Sequence, residues 1–257
     1  MINYEKALAA FKKYIENYDL ENDMIKLKVI HTYEVVALSE YIAKDLNLDK
    51  EDFELAKIIG LLHDIGRFEQ VKKFGNFRDY ETIDHGDFGA EILFKDGLIR
   101  NFIADDQYDE IIKKAVTYHN KYKLPEGLNE RELLHAKLIR DADKTDNFRV
   151  KAVDKLEAID NITDEQMENS EVTQVIYEDF KKEQLIDGKK RVTPADVWIS
   201  YIAFIFDFNF SSGLKYIKEK NYINILVNRI NFKNEDTKIK MEEIRNLSND
   251  YIERRCK

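Results

Sequence analysis

Ile58-Ile59-Gly60-Leu61-Leu62-His63-Asp64-Ile65-Gly66-Arg67-Phe68 is an apolar run that ends in a His-Asp pair, with a glycine and an arginine close behind. Leu55, Ile58, Ile59 and Leu62 fall in steps of three or four, so the run predicts a helix with one buried face. A histidine and an aspartate closing that face need partners. Burying an unpaired polar group costs roughly 2–7 kcal/mol, and a charge costs more. For a single dipeptide, a pair satisfied within the core is the commoner arrangement. A divalent metal ion is the other partner that suits both side chains, since neutral imidazole is a frequent ligand and a carboxylate can bridge two ions.

The pattern recurs on either side of this stretch. Residues 3–17 read as an amphipathic helix with Ala7, Leu8, Phe11 and Ile15 on one face. Asn22 or Asp23 caps a second helix, whose apolar stripe is Leu27, His31, Val35, Leu38 and Ile42, so His31 lies on the core face. Asp49 and Asp52 resemble a capping box for the helix that reaches the His-Asp pair. Gly66 reads as the residue that ends it. Residues 68–83 read as a long aromatic and charged loop, of the length that is often functional. Asp84 caps a further helix and puts His85 in its first turn. A helix from about Asp106 to Asn120 carries Tyr108, Ile111, Ile112, Ala115, Val116 and His119 on one face. After a turn at Leu124-Pro125-Glu126-Gly127, a helix from about Glu130 aligns Leu134, Leu138, Ile139 and Ala142 with Asp143. His135 lies off this pattern and reads as a structural or surface histidine.

Beyond Arg149 the chain becomes acidic and polar. Asp187-Gly188 is a hairpin-type turn signal, which leaves room for one short β-hairpin near 183–193. Thr193 and Pro194 then open an apolar helix over 195–208. Two more helices are expected, over about 213–230 and 234–255.

Composition narrows the class. Nine glycines and two prolines in 257 residues favour a mainly helical protein. The net charge of −9 argues against non-specific nucleic-acid binding, which relies on basic surface. Cys256 is the only cysteine, so a disulfide framework is excluded and a reducing compartment fits. The longest apolar stretch, Val197 to Phe210, is interrupted by Ser200, Asp207 and Asn209 and is shorter than the ~18–20 residues of a spanning helix. No basic region followed by an apolar run opens the chain. A cytoplasmic protein with no membrane and no nucleic-acid duplex as partner is expected.

His31, His63 and His119 each end or interrupt an apolar stripe, and Asp64 and Asp143 share that setting. Separate satisfaction of so many buried polar groups in one helical region is less economical than one shared metal site. The order His31, His63-Asp64, His85, His119, Asp143 resembles that of the HD-domain metal-dependent phosphohydrolases. Leu138-Ile139-Arg140-Asp141-Ala142-Asp143-Lys144-Thr145-Asp146-Asn147 resembles the last motif of that family, where the aspartate after the alanine is a ligand.

The resemblance covers about residues 20–150. It implies an all-α HD-domain helical bundle with metals at its centre, preceded by an N-terminal helix over 1–19. Residues 151–257 would be a helical C-terminal extension packed on the core, covering the pocket, forming a homodimer surface, or both. By position, His31, His63, Asp64 and Asp143 would form one metal site. His85 and His119 would hold a second ion, with Asp64 bridging. Two divalent transition-metal ions are implied, and Mn, Fe, Co, Ni and Zn all suit the mixed ligands.

The implied activity is hydrolysis of a phosphomonoester, phosphodiester or phosphoanhydride of a small phosphorylated metabolite, with a nucleotide expected, by a metal-activated water. Asp64 and Arg67 would be catalytic. Arg67, Arg78 and Lys144 would bind substrate. Arg67 stands three residues after Asp64, which resembles the HD-x-x-Lys/Arg pattern of the binuclear branches; mononuclear relatives carry an acidic residue there. Following Gly66, Arg67 is expected at the mouth of the site, with an ion pair to Glu69 or a nearby aspartate as its other reading. Two further classes stay open: a di-iron HD-fold oxygenase, and a non-catalytic nucleotide-binding HD protein. Iron content with an oxygen-dependent reaction marks the first, and the full ligand set argues against the second.

Overall fold

The computed structural model describes residues 2–257, and every regular element among them is a helix. The chain forms two compact units, one ending at Asp143 and one spanning Lys144–Lys257. None of the helices is long and apolar enough to cross a membrane among the described residues.

In the first unit, α1 (Tyr4–Ile15) starts at Asn3, whose side chain accepts from the Lys6 N–H, and buries Ala7, Phe11 and Ile15. α2 (Asp23–Asp45) is capped by Asn22 and buries Leu27, His31, Val35, Leu38 and Ile42, the stripe that its spacing predicts. α3 (Lys50–Leu62) is capped by Asp49, which accepts from the Asp52 N–H. α2 and α3 cross closely at Gly60, where a Cβ would lie 2.9 Å from Ser39 Oγ and 3.2 Å from Val36 Cα. Only a residue without a side chain permits that approach.

The expected helix end at Gly66 is not there. The chain turns at His63-Asp64, and α4 (Ile65–Phe74) begins at once. Gly66 lies in the first turn of α4 and faces α5 (His85–Ala90): a Cβ on Gly66 would be 2.7 Å from both His85 O and Gly89 N. The glycine therefore serves a helix crossing. The left-handed cap of α4 is Gly75, at φ 68°. The predicted loop over 68–83 is thus helical up to Phe74.

One π-helical stretch, Glu91–Lys95, continues α5. α6 (Ile99–Phe102) and α7 (Asp109–Tyr118) follow, and α8 (Glu130–Val153) runs past Asp143, where the first unit ends. Asp52, read as half of a capping box, accepts instead from His135 Nε2 at 2.9 Å and Arg131 Nε at 2.6 Å.

The second unit comprises the rest of α8, then α9 (Leu156–Asp160), α10 (Asp164–Glu168), α11 (Gln174–Phe180), α12 (Pro194–Ile202), α13 (Ser211–Glu219), α14 (Tyr222–Arg229) and α15 (Glu235–Arg255). Trp198 is fully buried in its core and donates from Nε1 to Leu226 O at 3.2 Å. No hairpin forms near 183–193; Asp187 caps a single 3-10 turn, Gly188–Lys190. Thr193 and Asp196 form a capping box on α12 with Pro194 at its start. The helix then tightens into a 3-10 turn over Ala203–Asp207. The helix expected over 213–230 is divided by Asn221 in the left-handed region, φ 57°. Buried Asp196 accepts from the backbone N–H groups of Thr173, Val192 and Thr193, so backbone donors satisfy this carboxylate.

Candidate metal centre

Helix ends fix two of the four imidazoles. The last carbonyls of an α-helix have no donor within it. His63, the C-cap of α3, donates from Nδ1 to Gly60 O at 2.8 Å. His119, the C-cap of α7, donates from Nδ1 to Val116 O at 2.7 Å. His85 opens α5 behind its N-cap Asp84 and donates from Nδ1 to Asp79 Oδ2 at 2.5 Å. A carbonyl and an ionised carboxylate can only accept, so all three Nδ1 atoms carry the proton. Nε2 is then the ring atom that each of these histidines turns to the interior of the site.

Those nitrogens converge. His63 Nε2 faces His31 Nε2 at 3.3 Å, and His85 Nε2 faces His119 Nε2 at 3.0 Å. At these distances each pair of nitrogens can hold a proton or a cation between them. Asp64 stands between the pairs. Its Oδ2 is 3.4 Å from His31 Nε2 and 3.6 Å from His63 Nε2. Its Oδ1 is 3.5 Å from His85 Nε2 and 3.6 Å from His119 Nε2. Asp143 Oδ1 joins the first pair, 3.2 Å from His31 Nε2 and 3.9 Å from His63 Nε2. Metal–ligand bonds of about 2.0–2.2 Å put neighbouring ligands roughly 3–3.5 Å apart, and the separations here run from 3.0 to 3.9 Å.

Asp64 Oδ1 is buried and accepts no hydrogen bond, although Asp64 is the N-cap of α4 and could have bonded its backbone. An ionised oxygen left that way is costly, and a cation satisfies it. The groups His31–His63–Asp64 and Asp64–His85–His119 each bring three ligand atoms within 4.8 Å of one another. The donors fit a divalent cation in either group.

Electrostatics keep the ligands in binding form. Burial, opposed by Asp64 and Asp143, takes the His63 imidazole down to about 3, and burial together with the charge of Arg67 takes His85 down to about 4. Burial would raise the Asp64 carboxyl, but the Lys28 charge and the neighbouring histidines hold it well below the usual carboxylate range. Asp143 is held low against burial by its contact with His31. His63 and His85 are neutral and both carboxylates charged at neutral pH.

Other expected residues stand differently. Arg67 lies in the first turn of α4 with a side chain only 13 % exposed, not at an open mouth. Its Nη1 donates to Asp79 Oδ1 at 2.7 Å, Gln70 Oε1 at 2.7 Å and Phe77 O at 2.8 Å, which is the alternative ion pair with a nearby aspartate. Its Nε is buried without a partner and lies 3.8 Å from Asp64 Oδ1. Arg78 is paired with Glu81 at 3.0 Å, and Lys144, in the second unit, with Asp207 at 2.7 Å. His135 is buried against Asp52, the structural of its two readings.

Three residues that the sequence does not single out also belong here. Asp79 accepts from His85, Arg67 and Gln70 together, and so fixes the ring of a candidate ligand. Lys28 Nζ donates to Asp64 Oδ2 at 2.6 Å. Arg140 Nη1 donates to Tyr118 O, His119 O and Lys121 O at the end of α7, and so holds the backbone that carries His119. Lys28 stands one turn before His31 on α2, and Arg140 stands within the motif that ends at Asn147, but neither place by itself marks a role.

The family model described as HD domain matches residues 29–147. These residues are an HD domain. No curated protein and no solved structure matches the chain. The HD domain contains all six converging side chains, and the His63-Asp64 pair contributes the dipeptide at the junction of α3 and α4.

Proposed function

We propose that the chain is a metal-dependent phosphohydrolase acting on a small phosphorylated metabolite, with a nucleotide as the substrate class. Asp64 carries this reading: each of its two oxygens faces a separate pair of histidines whose Nε2 atoms converge. His31, His63, Asp64 and Asp143 would hold one divalent ion, and Asp64, His85 and His119 a second. Bound there, such ions supply Lewis acidity, polarising a phosphoryl oxygen and making a water acidic enough to attack at neutral pH.

The chain's own groups do the positioning. Gly60 O and Val116 O hold His63 and His119 in one tautomer, and Asp79 does the same for His85. Arg67, anchored through Nη1 to Asp79, turns its unpartnered Nε toward Asp64. That donor is the one we assign to a phosphate oxygen as charge builds on it. A concentration of cations around one bridging carboxylate suits the clustered negative charge of nucleotide phosphates.

The test is elemental analysis joined to a phosphate-release screen over nucleotides, dinucleotides and sugar phosphates, with Mn, Co and Zn. His63→Ala and Asp64→Ala are expected to lose metal and hydrolysis together. Unchanged metal content in both variants would sink the proposal. Oxygen consumption by iron-loaded protein, with no phosphate released from any substrate, would replace hydrolysis with oxidation.

A further inference from the structure

Lys28 is a cation that the scheme above leaves without a task. It lies on α2 one turn before His31, with a side chain 13 % exposed. Its Nζ donates at 2.6 Å to Asp64 Oδ2, the oxygen that faces His31 and His63. The same ammonium lies 5.2 Å from the centre of the Phe77 ring, and the Arg67 guanidinium carbon lies 5.4 Å from that centre. One aromatic ring thus backs both cations. They flank a single carboxylate, Lys28 on the Oδ2 side and Arg67 on the Oδ1 side.

A structural ion pair would need only one lysine and one carboxylate. Here the carboxylate oxygen is the one on which the histidines also converge. A divalent cation held by Asp64 Oδ2 would bring strong positive charge beside the ammonium, and the pair could not persist unchanged. Two divalent ions, Lys28 and Arg67, set against Asp64, Asp79 and Asp143, leave a surplus of about three positive charges around the cage. A phosphoryl group is the anion that fits such a surplus, since it can face the metal side and the ammonium at once.

We propose that Lys28 is a substrate anchor: its ammonium leaves Asp64 for a non-bridging phosphate oxygen when the cage is loaded. This rests on the phosphohydrolase reading of the same site. No covalent bond is made or broken by Lys28; it holds charge and position.

The probe is inorganic phosphate, with the Mn-loaded full chain. Phosphate affinity and Mn affinity are measured separately by calorimetry for wild type, Lys28→Met, Lys28→Arg and Lys26→Met. Lys26 is a control on the exposed side of α2, paired with Glu21. Losing a charge-assisted hydrogen bond weakens binding about 10- to 150-fold. Lys28→Met is expected to lose phosphate affinity by that factor and Lys28→Arg by less than tenfold, with Lys26→Met unchanged. Mn is expected to bind Lys28→Met as tightly as wild type or tighter, because the competitor for Asp64 is gone. Phosphate affinity within twofold of wild type in Lys28→Met overturns the proposal, as does a loaded wild type that binds no phosphate at millimolar concentration. If Lys28→Met fails to fold, Lys28→Gln takes its place; loss of metal from the folded Gln variant makes the residue structural and overturns the anchor. The two readings fail separately. Phosphate binding that depends on Lys28, without hydrolysis of any substrate, removes the hydrolase and keeps the anchor. Hydrolysis by wild type with normal phosphate binding in Lys28→Met does the reverse.

Discussion

Gly66→Ala separates two opposing effects on the candidate centre. In an isolated helix the change would stabilise by about 1 kcal/mol, because alanine is the better helix former. In this protein the new Cβ would lie 2.7 Å from His85 O and Gly89 N and 3.1 Å from Gly89 Cα. All three are backbone atoms and cannot turn aside. Ordinary contact begins at 3.4 Å, so α4 and α5 must part by about 0.7 Å at this point. Overpacking costs about 1–3 kcal/mol, and contact between two backbones belongs at the upper end. After the helix-propensity gain, a net loss of about 1–2 kcal/mol remains, or roughly 2–8 °C in Tm for a chain of this size. The strained contact is on His85 itself, whose Nε2 stands 3.0 Å from His119 Nε2. Ligand positions tolerate about 0.2 Å, so the second ion should bind about 10- to 100-fold more weakly. Thermal melts in chelator and a Mn titration read the two effects. Gly75→Ala is the comparison: at φ 68° with open space around it, it should cost about 1–2 kcal/mol and leave metal affinity alone. A higher Tm and wild-type affinity for both ions in Gly66→Ala would refute the reasoning that this crossing positions His85.

Asp79→Asn removes the ionised acceptor of His85 Nδ1, so second-ion affinity should fall about 10- to 100-fold while the first ion stays; one ion per chain by elemental analysis checks this. Stability should also depend on pH. His63 and His85 titrate near 3 and 4 in the folded chain, below the ordinary 6.5, so the unfolded chain binds protons first as pH falls. The stability they contribute is full above about 6.5 and is lost as pH falls toward 4 and then 3, so urea midpoints in chelator should fall over that window. Buried His135 holds Asp52 across α3 and α8, and His135→Ala should cost about 2–4 kcal/mol in urea unfolding with metal content unchanged.

Helical spacing made much of the first unit legible. The stripe through Leu27, His31 and Val35, and the run ending at His63, are buried as their periodicity requires. Gly66 misled because a glycine that ends a helix and one that lets another helix approach look alike in sequence. The loop over 68–83 misled for the same reason, since the end of α3 was placed at Gly66. Lys28 and Asp79 were hidden by number: in a chain that is 35 % charged, one lysine or aspartate does not stand out. Asp187-Gly188 illustrates a different limit, because an aspartate that starts a hairpin turn also caps a 3-10 turn. The break at Asn221 depends on one left-handed residue, which no pattern of hydrophobic spacing records.

The carbonyl anchors at Gly60 and Val116 bear on how a metal would exchange with solvent. They lock protons on the far side of His63 and His119, and burial leaves the near side of His63 bare. At neutral pH the His63 ring should therefore take a metal without giving up a proton of its own, and a metal-bound water is the group that can release one. Heats of Mn binding measured near pH 7 in buffers of different ionisation enthalpy should show no proton from that ring. Mild acidification alone should not displace a metal from the His63 ring, and a chelator, not a proton, is the reagent that strips it.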